Sequence, residues 1–358
     1  MKQSLYECTS YMEDVKANIA RIDLAPLDGK RVYITGGTGM IGSYITDMLL
    51  FSDYDITVYV LGRSALKMMK RFPLQKTTKN LVLVEHDINT PIDLADPSWA
   101  GAKVDYMIHA ASNTHPRAYA EDPIGTITAN ILGAYNLLEF FEKVNGGRFV
   151  FLSSVEIYGE NRGDTESFDE SYLGYIDCNT LRAGYPESKR AGEALCQAYI
   201  AQKNLDIIIP RLSRSYGPTL LKTDTKALSQ FIHRAVDRED IVLKSAGTQE
   251  YSYGYVGDQA VAILNLMLHA KTGEAVNVAS EGSDVTLRRL AEYLAEVAGT
   301  KVVFEMPDET EAKGYSTATR ALLDLTKLHD MGYRSAYDMR TGLSKTVEIL
   351  RELAYGEA

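Results

Sequence analysis

Apolar residues gather in short runs at intervals along the first two-thirds of the chain: residues 31–35, 56–61 (Ile56-Thr57-Val58-Tyr59-Val60-Leu61), 81–86, 104–110, 148–154 and 206–211. Most of these runs have a continuous apolar centre of three or four residues. That is the pattern of a strand buried on both faces, not the alternation of a half-buried one. Between them, residues 40–51, 64–72, 123–144 and 182–203 carry apolar positions at helical spacing. Strand and helix therefore alternate, which predicts an α/β fold with a doubly wound parallel sheet. Ahead of the first strand, Met12, Val15, Ile19 and Ile22 recur at helical spacing, predicting an amphipathic helix over residues 8–23 on the outside of the sheet. After residue 210 the pattern breaks into short segments, a Tyr-rich stretch (Tyr251-Ser252-Tyr253-Gly254-Tyr255) and helices at 225–236, 258–270, 286–298 and 339–354. These predict a smaller, mostly helical C-terminal lobe. The expected division is an N-terminal helical extension over 1–29, a sheet domain over 30–210 to which 252–281 returns, and a substrate lobe made of 211–251 and 282–358.

Composition narrows the class without changing the fold. With 358 residues, 45% hydrophobic and 24% charged, the chain is ordinary globular protein, enough for one large domain or two intimate ones. A net charge of −10 and the lack of a basic run argue against a nucleic-acid partner. An anionic small molecule stays open, because a pocket can be locally positive. Three cysteines, Cys8, Cys178 and Cys196, are few and odd in number, as expected in a reducing cytosol with no disulfide framework. No apolar stretch is long enough to span a bilayer and Met1–Glu7 lacks a signal-peptide core, so no membrane partner and a cytoplasmic location are expected. No metal site is read.

The candidate chemistry begins where the first strand ends, at Thr35-Gly36-Gly37-Thr38-Gly39-Met40-Ile41-Gly42. Gly36 permits a tight turn, Gly39 lets backbone approach a phosphate, and Gly42 lets the helix pack on the strand. The helix N-terminus over Met40 and Ile41 then offers N–H groups to a dinucleotide pyrophosphate. A second motif, Tyr185-Pro186-Glu187-Ser188-Lys189, places Tyr and Lys four apart on one helix face. An ammonium beside the phenol favours the phenolate and lowers its pKa toward neutrality, so that Tyr185 exchanges a proton with a sugar hydroxyl. Lys189 is also placed to hold the nicotinamide ribose. Tyr199 and Lys203 repeat the spacing, but only Tyr185 follows a strand end carrying Ser153 and Ser154. The second pair is therefore read as a coincidence on a solvated face. Ser154 is the expected partner of the reacting hydroxyl, and Glu156 a carboxylate in the same crevice.

These residues resemble the extended short-chain dehydrogenase/reductases, the nucleotide-sugar epimerases, dehydratases and decarboxylases. The resemblance covers about residues 30–350. It rests on the glycine turn, His86-Asp87-Ile88, His109-Ala110-Ala111-Ser112, Asn130, Ser154, Tyr185 with Lys189, Tyr216-Gly217-Pro218, Tyr255-Val256-Gly257-Asp258, Gly332-Tyr333 and Gly342-Leu343. It implies a Rossmann-type fold, a homodimer paired through the helices 123–144 and 182–203 (Ile131, Tyr135, Leu138 and Phe141 positions), and a bound NAD. The implied cofactor contacts are Gly36, Gly39, Met40, Ile41, Gly42, Arg63, Asp87 at the adenine, Ile88, Ala110, Ala111, Asn130 as support of the Tyr/Lys site, Ser153, Tyr185 and Lys189. Where NAD-preferring members carry an acid at the end of the second strand, this chain has Gly62-Arg63-Ser64, which keeps NADP as an alternative.

Within the family the chain is most similar to UDP-glucuronate decarboxylases. Ser153-Ser154-Val155-Glu156-Ile157-Tyr158-Gly159 matches their strand-five end, Arg182 stands three before the Tyr, and Asn113-Thr114-His115-Pro116-Arg117-Ala118-Tyr119 is shared in character. A 4,6-dehydratase carries an Asp where Val155 stands. Arg214 stands where the family commonly has Asn, and Tyr251 where it has a phosphate-binding Arg. The implied substrate contacts are Ser112, Arg182, Arg214 and Tyr251, and the implied catalytic groups Tyr185, Lys189, Ser154 and Glu156. The expected activity is transient oxidation of a sugar C4 hydroxyl followed by decarboxylation. The alternatives are a 4-epimerase or 4,6-dehydratase, or a non-catalytic dinucleotide-binding scaffold.

Overall fold

A computed structural model describes residues 4–97, 99, 101–112, 114, 121–305 and 318–355. Of the 113–119 segment that matched the decarboxylases, all but Thr114 lies outside these residues.

The main sheet is wholly parallel. Its strands are β1 (Arg31–Thr35), β2 (Thr57–Gly62), β3 (Leu81–Glu85), β4 (Tyr106–His109), β5 (Arg148–Phe151), the two-residue β6 (Ser153–Ser154), β7 (Asp206–Leu212) and, after the lobe has begun, β11 (Ala275–Val278). The order is β11-β7-β5-β4-β1-β2-β3, with β6 on β7. The run expected over 148–154 thus breaks at Leu152 into β5 and β6, which turns Ser153 and Ser154 onto β7. The helices α1 (Thr9–Ile19), α2 (Met40–Leu50), α3 (Ala65–Arg71), α4 (Pro123–Lys143) and α5 (Gly184–Lys203) belong to this half.

The remaining elements are β8 (Arg214–Tyr216), α6 (Ala227–Val236), β9 (Ile241–Leu243), β10 (Glu250–Tyr255), α7 (Val256–His269), β12 (Asp284–Thr286), α8 (Leu287–Ala298), β13 (Val302–Phe304), β14 (Arg320–Ala321), α9 (Thr326–Asp330) and α10 (Met339–Tyr355). The lobe has a small sheet of its own, with β8, β12 and β14 gathered around β10, and β9 pairs β13. Of the stretch 252–281, β11 joins the main sheet while the β10 residues pair inside the lobe.

The N-terminal helix differs from the stripe read in its sequence. Its buried face is Ser10, Tyr11, Asp14, Val15 and Asn18, more than half of it polar. Asp14 accepts hydrogen bonds from the hydroxyls of Tyr44 on α2, Tyr255 at 2.7 Å and Tyr337 at 2.9 Å. Glu352 of α10 accepts from the N–H groups of Thr9 at 2.7 Å and Ser10 at 2.9 Å, the otherwise unpaired donors at the start of α1. A buried carboxylate holds its place only when it is so satisfied, and α1 thereby ties the main sheet to the lobe.

The stripe on α4 also divides. Leu138 and Phe141 are fully buried, whereas Ile124, Leu132 and Tyr135 face outward. Tyr199 and Lys203 do not lie together on a solvated face. Tyr199 is buried with its hydroxyl on Glu139, and Lys203 reaches Glu142 at 3.3 Å, so the second Tyr/Lys pair fastens α5 to α4.

Candidate active site

A cleft of about 990 Å³ opens at the carboxyl ends of the strands. The main sheet contributes the glycine turn, Ala110, Ser112 and residues 152–156, α5 contributes Tyr185 and Lys189, and the lobe closes the far side. The turn is shaped by sterics. Gly36 has φ +67°, and a Cβ there would stand 2.7 Å from the Ala111 backbone. A Cβ on Gly42 would meet the Gly36 carbonyl at 2.7 Å. Gly39 begins α2 without any side-chain cap, so the helix presents its first N–H groups to the cleft.

Tyr185 is 7% exposed and hydrogen-bonded to the Ser154 side chain. Its phenol is pushed up to about 12, opposite to the lowering expected from the Tyr/Lys spacing. Burial is the largest cause and Glu156 adds to it. Ser154 and Arg182 oppose it. Lys189 is 3% exposed and directs its ammonium to the Leu152 carbonyl at 2.8 Å, above the Phe151 ring. Burial brings it down to about 8, against the opposing pull of Glu193. A lysine that spends its charge on desolvation and a carbonyl has little left to stabilise a phenolate.

A second group stands at the mouth. Glu156 accepts from Arg182 Nη2 at 2.7 Å through Oε2 and from Arg214 Nη2 at 3.5 Å through Oε1. The Arg214 guanidinium lies 3.5 Å from the centroid of the Tyr251 ring, and the Tyr251 hydroxyl donates to the Ala318 carbonyl at 2.7 Å. Strand pairing places them so, since β8 sets Arg214 opposite Tyr253, two residues from Tyr251 on β10. The two departures from the family pattern are thus one stacked unit.

The model of the NAD dependent epimerase/dehydratase family matches residues 32–279. The chain belongs to that family. The UDP-glucuronic acid decarboxylase 1 of Xenopus tropicalis is 28% identical over 335 residues, 92% of this chain and 74% of that protein. The dTDP-glucose 4,6-dehydratase of Streptomyces venezuelae, solved with NAD, is 25% identical with a TM-score of 0.75, covering 90% of this chain and 97% of that one. The UDP-glucose 4-epimerase of Thermotoga maritima shares the fold, with a TM-score of 0.77 at 22% identity over 90% and 99% of the two chains. The enzyme is therefore NAD-dependent and of the nucleotide-sugar class, with decarboxylase, epimerase and dehydratase relatives alike.

The residues of the chain fit a dinucleotide: the turn leaves space that a Cβ would fill, and the uncapped start of α2 suits a pyrophosphate. Among the expected cofactor contacts, Gly36, Gly39, Met40, Ile41, Gly42, Ala110, Ser153, Tyr185 and Lys189 line the cleft. Arg63, exposed just after β2, and Asp87 and Ile88, just after β3, lie past its rim at the ends of adjacent strands. The Ala111 N–H is engaged by the Thr35 hydroxyl at 3.2 Å. Asn130 links Ser112, whose hydroxyl donates to it at 2.7 Å, to Ser188 at 2.8 Å, and Ser188 returns a bond to the Tyr185 carbonyl. It thus braces the Tyr185 turn from behind. Ser153 lines the cleft, and its hydroxyl donates to Glu193.

Sequence reading missed Glu193 and Arg211, paired at 2.7 and 3.1 Å behind Lys189. The available signal was Glu193's position eight residues after Tyr185, on the same helix face. It also missed His109, buried, held by Thr35 at 2.8 Å and brought down to about 3 by burial and by Lys189. The cations Lys226 and Arg234, at the cap and in the last turn of α6, and Lys244, just after β9, line the lobe side of the cleft and left no motif.

Proposed function

We propose that the enzyme transiently oxidises the C4 hydroxyl of a nucleotide-linked uronic acid and decarboxylates it, with UDP-glucuronate as the substrate. The observation that carries this reading is the group Arg182–Glu156–Arg214 beside Tyr185. Two cations share one carboxylate, so the mouth holds a net positive charge suited to a substrate carboxylate. The decarboxylase names of the relatives support it, and so does Val155, a buried side chain with no proton to give at the place where a 4,6-dehydratase has its acid.

The glycine turn and α2 would hold the pyrophosphate, and Lys189 the nicotinamide ribose. NAD, when bound, accepts and later returns a hydride. Ser154 orients the C4 hydroxyl toward Tyr185, and Tyr185 takes its proton. The resulting 4-keto uronate is a β-keto acid and loses carbon dioxide without help from an acid at position 155. Arg182 and Arg214 hold the carboxylate until it leaves, and Glu156, freed from them by the substrate's own negative charge, handles the proton of the enolate. Lys226, Arg234 and Lys244 supply positive charge for the diphosphate.

The test is carbon dioxide release from carboxyl-labelled UDP-glucuronate, with a pentose nucleotide or its 4-keto form as product. Dehydration of dTDP-glucose is not expected. One observation favours a 4-epimerase instead: Glu156 is committed to two arginines, and epimerisation needs no second acid or base besides Tyr185. Conversion of UDP-glucuronate to its C4 epimer without carbon dioxide release would establish that reading and overturn the first.

The lack of disulfides among Cys8, Cys178 and Cys196 suits a cytoplasmic enzyme. The outward Ile124, 75% exposed, with Leu132 and Tyr135 supports a homodimer through α4 and α5. A dimer mass by light scattering is expected, and a monomer at micromolar concentration would refute it.

A further inference from the structure

Three consecutive residues at the strand end each bond one residue of α5, and the three α5 residues are four apart. The Leu152 carbonyl accepts from Lys189, the Ser153 hydroxyl donates to Glu193, and the Ser154 side chain bonds Tyr185. Tyr185, Lys189 and Glu193 therefore form one helix face whose register against residues 152–154 is fixed by three rungs. The outer two rungs hold groups assigned to the reaction. The middle one is held in turn by Arg211, which stands beside Ser153 in the β6–β7 pairing and grips both Glu193 oxygens at 3.1 and 2.7 Å. Glu193 and Arg211 are each 12% exposed, so this pair is screened from water and its geometry is stiff.

We propose that Glu193 is a positioning residue of the reaction: through Ser153 it fixes the register of Leu152 and Ser154 against α5, and one helical turn along α5 it places an anion beside the Lys189 ammonium. This rests on the assignment of Tyr185 and Lys189 as the proton-handling pair. The charge argument follows from what surrounds Lys189. On its own helix it faces Glu193 and Cys196. From β4 it faces His109, which burial keeps neutral, and from β5 the Phe151 ring, with Arg211 of β7 reached through Glu193. Glu193 is the anion among them. Cys196 stays a thiol because burial raises it. Without Glu193, a buried ammonium would keep a carbonyl and a ring for partners while the Arg211 cation lost its counter-charge.

The experiment uses the whole enzyme and two variants, E193Q and S153A. One readout needs no substrate: the pH titration of the Lys189 Cε resonance in protein labelled with carbon-13 lysine, assigned with K189R. In the wild type the midpoint is expected at about 8. In E193Q it is expected to fall by about one pH unit or more, because a nearby opposite charge has been removed. In S153A it stays in place, because the group lost is neutral. The second readout is steady-state kinetics on the accepted nucleotide sugar. Both variants should lose at least ~10-fold in kcat with KM within about threefold, and the alkaline limb of the kcat/KM profile should move down only in E193Q. An unmoved Lys189 midpoint in E193Q overturns the charge role. Unchanged kcat in S153A overturns the register role. If E193Q does not fold, S153A with E193D, which keeps the charge on a shorter arm, carries the test: E193D should hold the midpoint near the wild-type value and lose kcat. Should no nucleotide sugar turn over at all, the titration still decides the charge role, so failure of the functional reading is told apart from failure of this one.

Discussion

Tyr185 with Lys189 and Tyr199 with Lys203 have the same spacing on the same helix, and the structure uses them for different work. The first pair lies over the strand end at 152–154, fully inside the cleft, where the tyrosine bonds a serine and the lysine a carbonyl. The second lies over α4, where the tyrosine bonds Glu139 and the lysine Glu142 at 3.3 Å. Both phenols are raised, largely by burial in each case; carboxylates add to the rise at both, Glu139 at Tyr199 and Glu156 at Tyr185, but only at Tyr185 do a donor and a cation, Ser154 and Arg182, oppose it. A Tyr and a Lys one helical turn apart thus make no proton relay by themselves. What lies across from them decides, and donors or cations serve the phenolate where carboxylates oppose it.

The sharpest way to break this comparison is to remove each hydroxyl. Y185F should lower turnover ~10²-fold or more with cofactor still bound, the scale of a positioned acid or base. Y199F should stay within about twofold of wild type. Equal activity in Y185F, with the loss in Y199F, would exchange the two assignments.

The lysines differ as strongly, and pH exposes it. Lys189 has an ordinary value of 10.5 when unfolded and about 8 in the native enzyme. Between those values the unfolded chain binds a proton that the folded one has shed, so native stability relative to K189M should rise with pH through this window, by up to about 3 kcal/mol. Below about pH 8 the difference should be flat, with the full cost of burying the charge. Urea unfolding at several pH values measures this, and a wild-type curve parallel to that of K189M would contradict the buried ammonium.

A smaller effect is expected at the mouth of the cleft, where cations are in excess. R214A should raise KM for an acidic nucleotide sugar ~10-fold or more and affect a neutral sugar less, since it removes a charge-assisted contact worth about 2 kcal/mol. R214K should not restore it, because an ammonium lacks the flat face that stacks on Tyr251. Equal loss on acidic and neutral sugars would remove Arg214 from carboxylate recognition. The smallest effect is on stability: Y199F should cost about 1–2 kcal/mol, the scale of a hydrogen bond to a charged group. No change in urea midpoint would mean that the α4–α5 contact does not use it.

Much of this was legible in the chain. The apolar centres of 31–35 and 56–61 announced buried parallel strands because apolar residues there follow one another without alternation, and the glycines at 36 and 42 announced the turn because a Cβ at either would collide with neighbouring backbone. Local sterics and short-range burial write themselves into consecutive residues. Tyr185 was separable from Tyr199 for a similar reason: it follows Ser153 and Ser154, and strand ends on that side converge on one crevice.

What consecutive residues cannot carry is the sum of desolvation and distant charge. The Tyr/Lys spacing pointed to a lowered phenol, yet burial by the lobe raised it. Ser153 was read as a cofactor contact, and the carboxylate that its hydroxyl bonds, Glu193, with Arg211 behind it, arrives only 40 and 58 positions later in the chain. The polar face of α1 made no sense as an amphipathic stripe until tyrosines from residues 44, 255 and 337 met at Asp14. The sequence by itself determined the sheet, the turn and the family. Tertiary structure alone decided the protonation and the partners of the groups within it, because those energies depend on which side chains distant in sequence are brought within a few ångströms and on how much water they exclude.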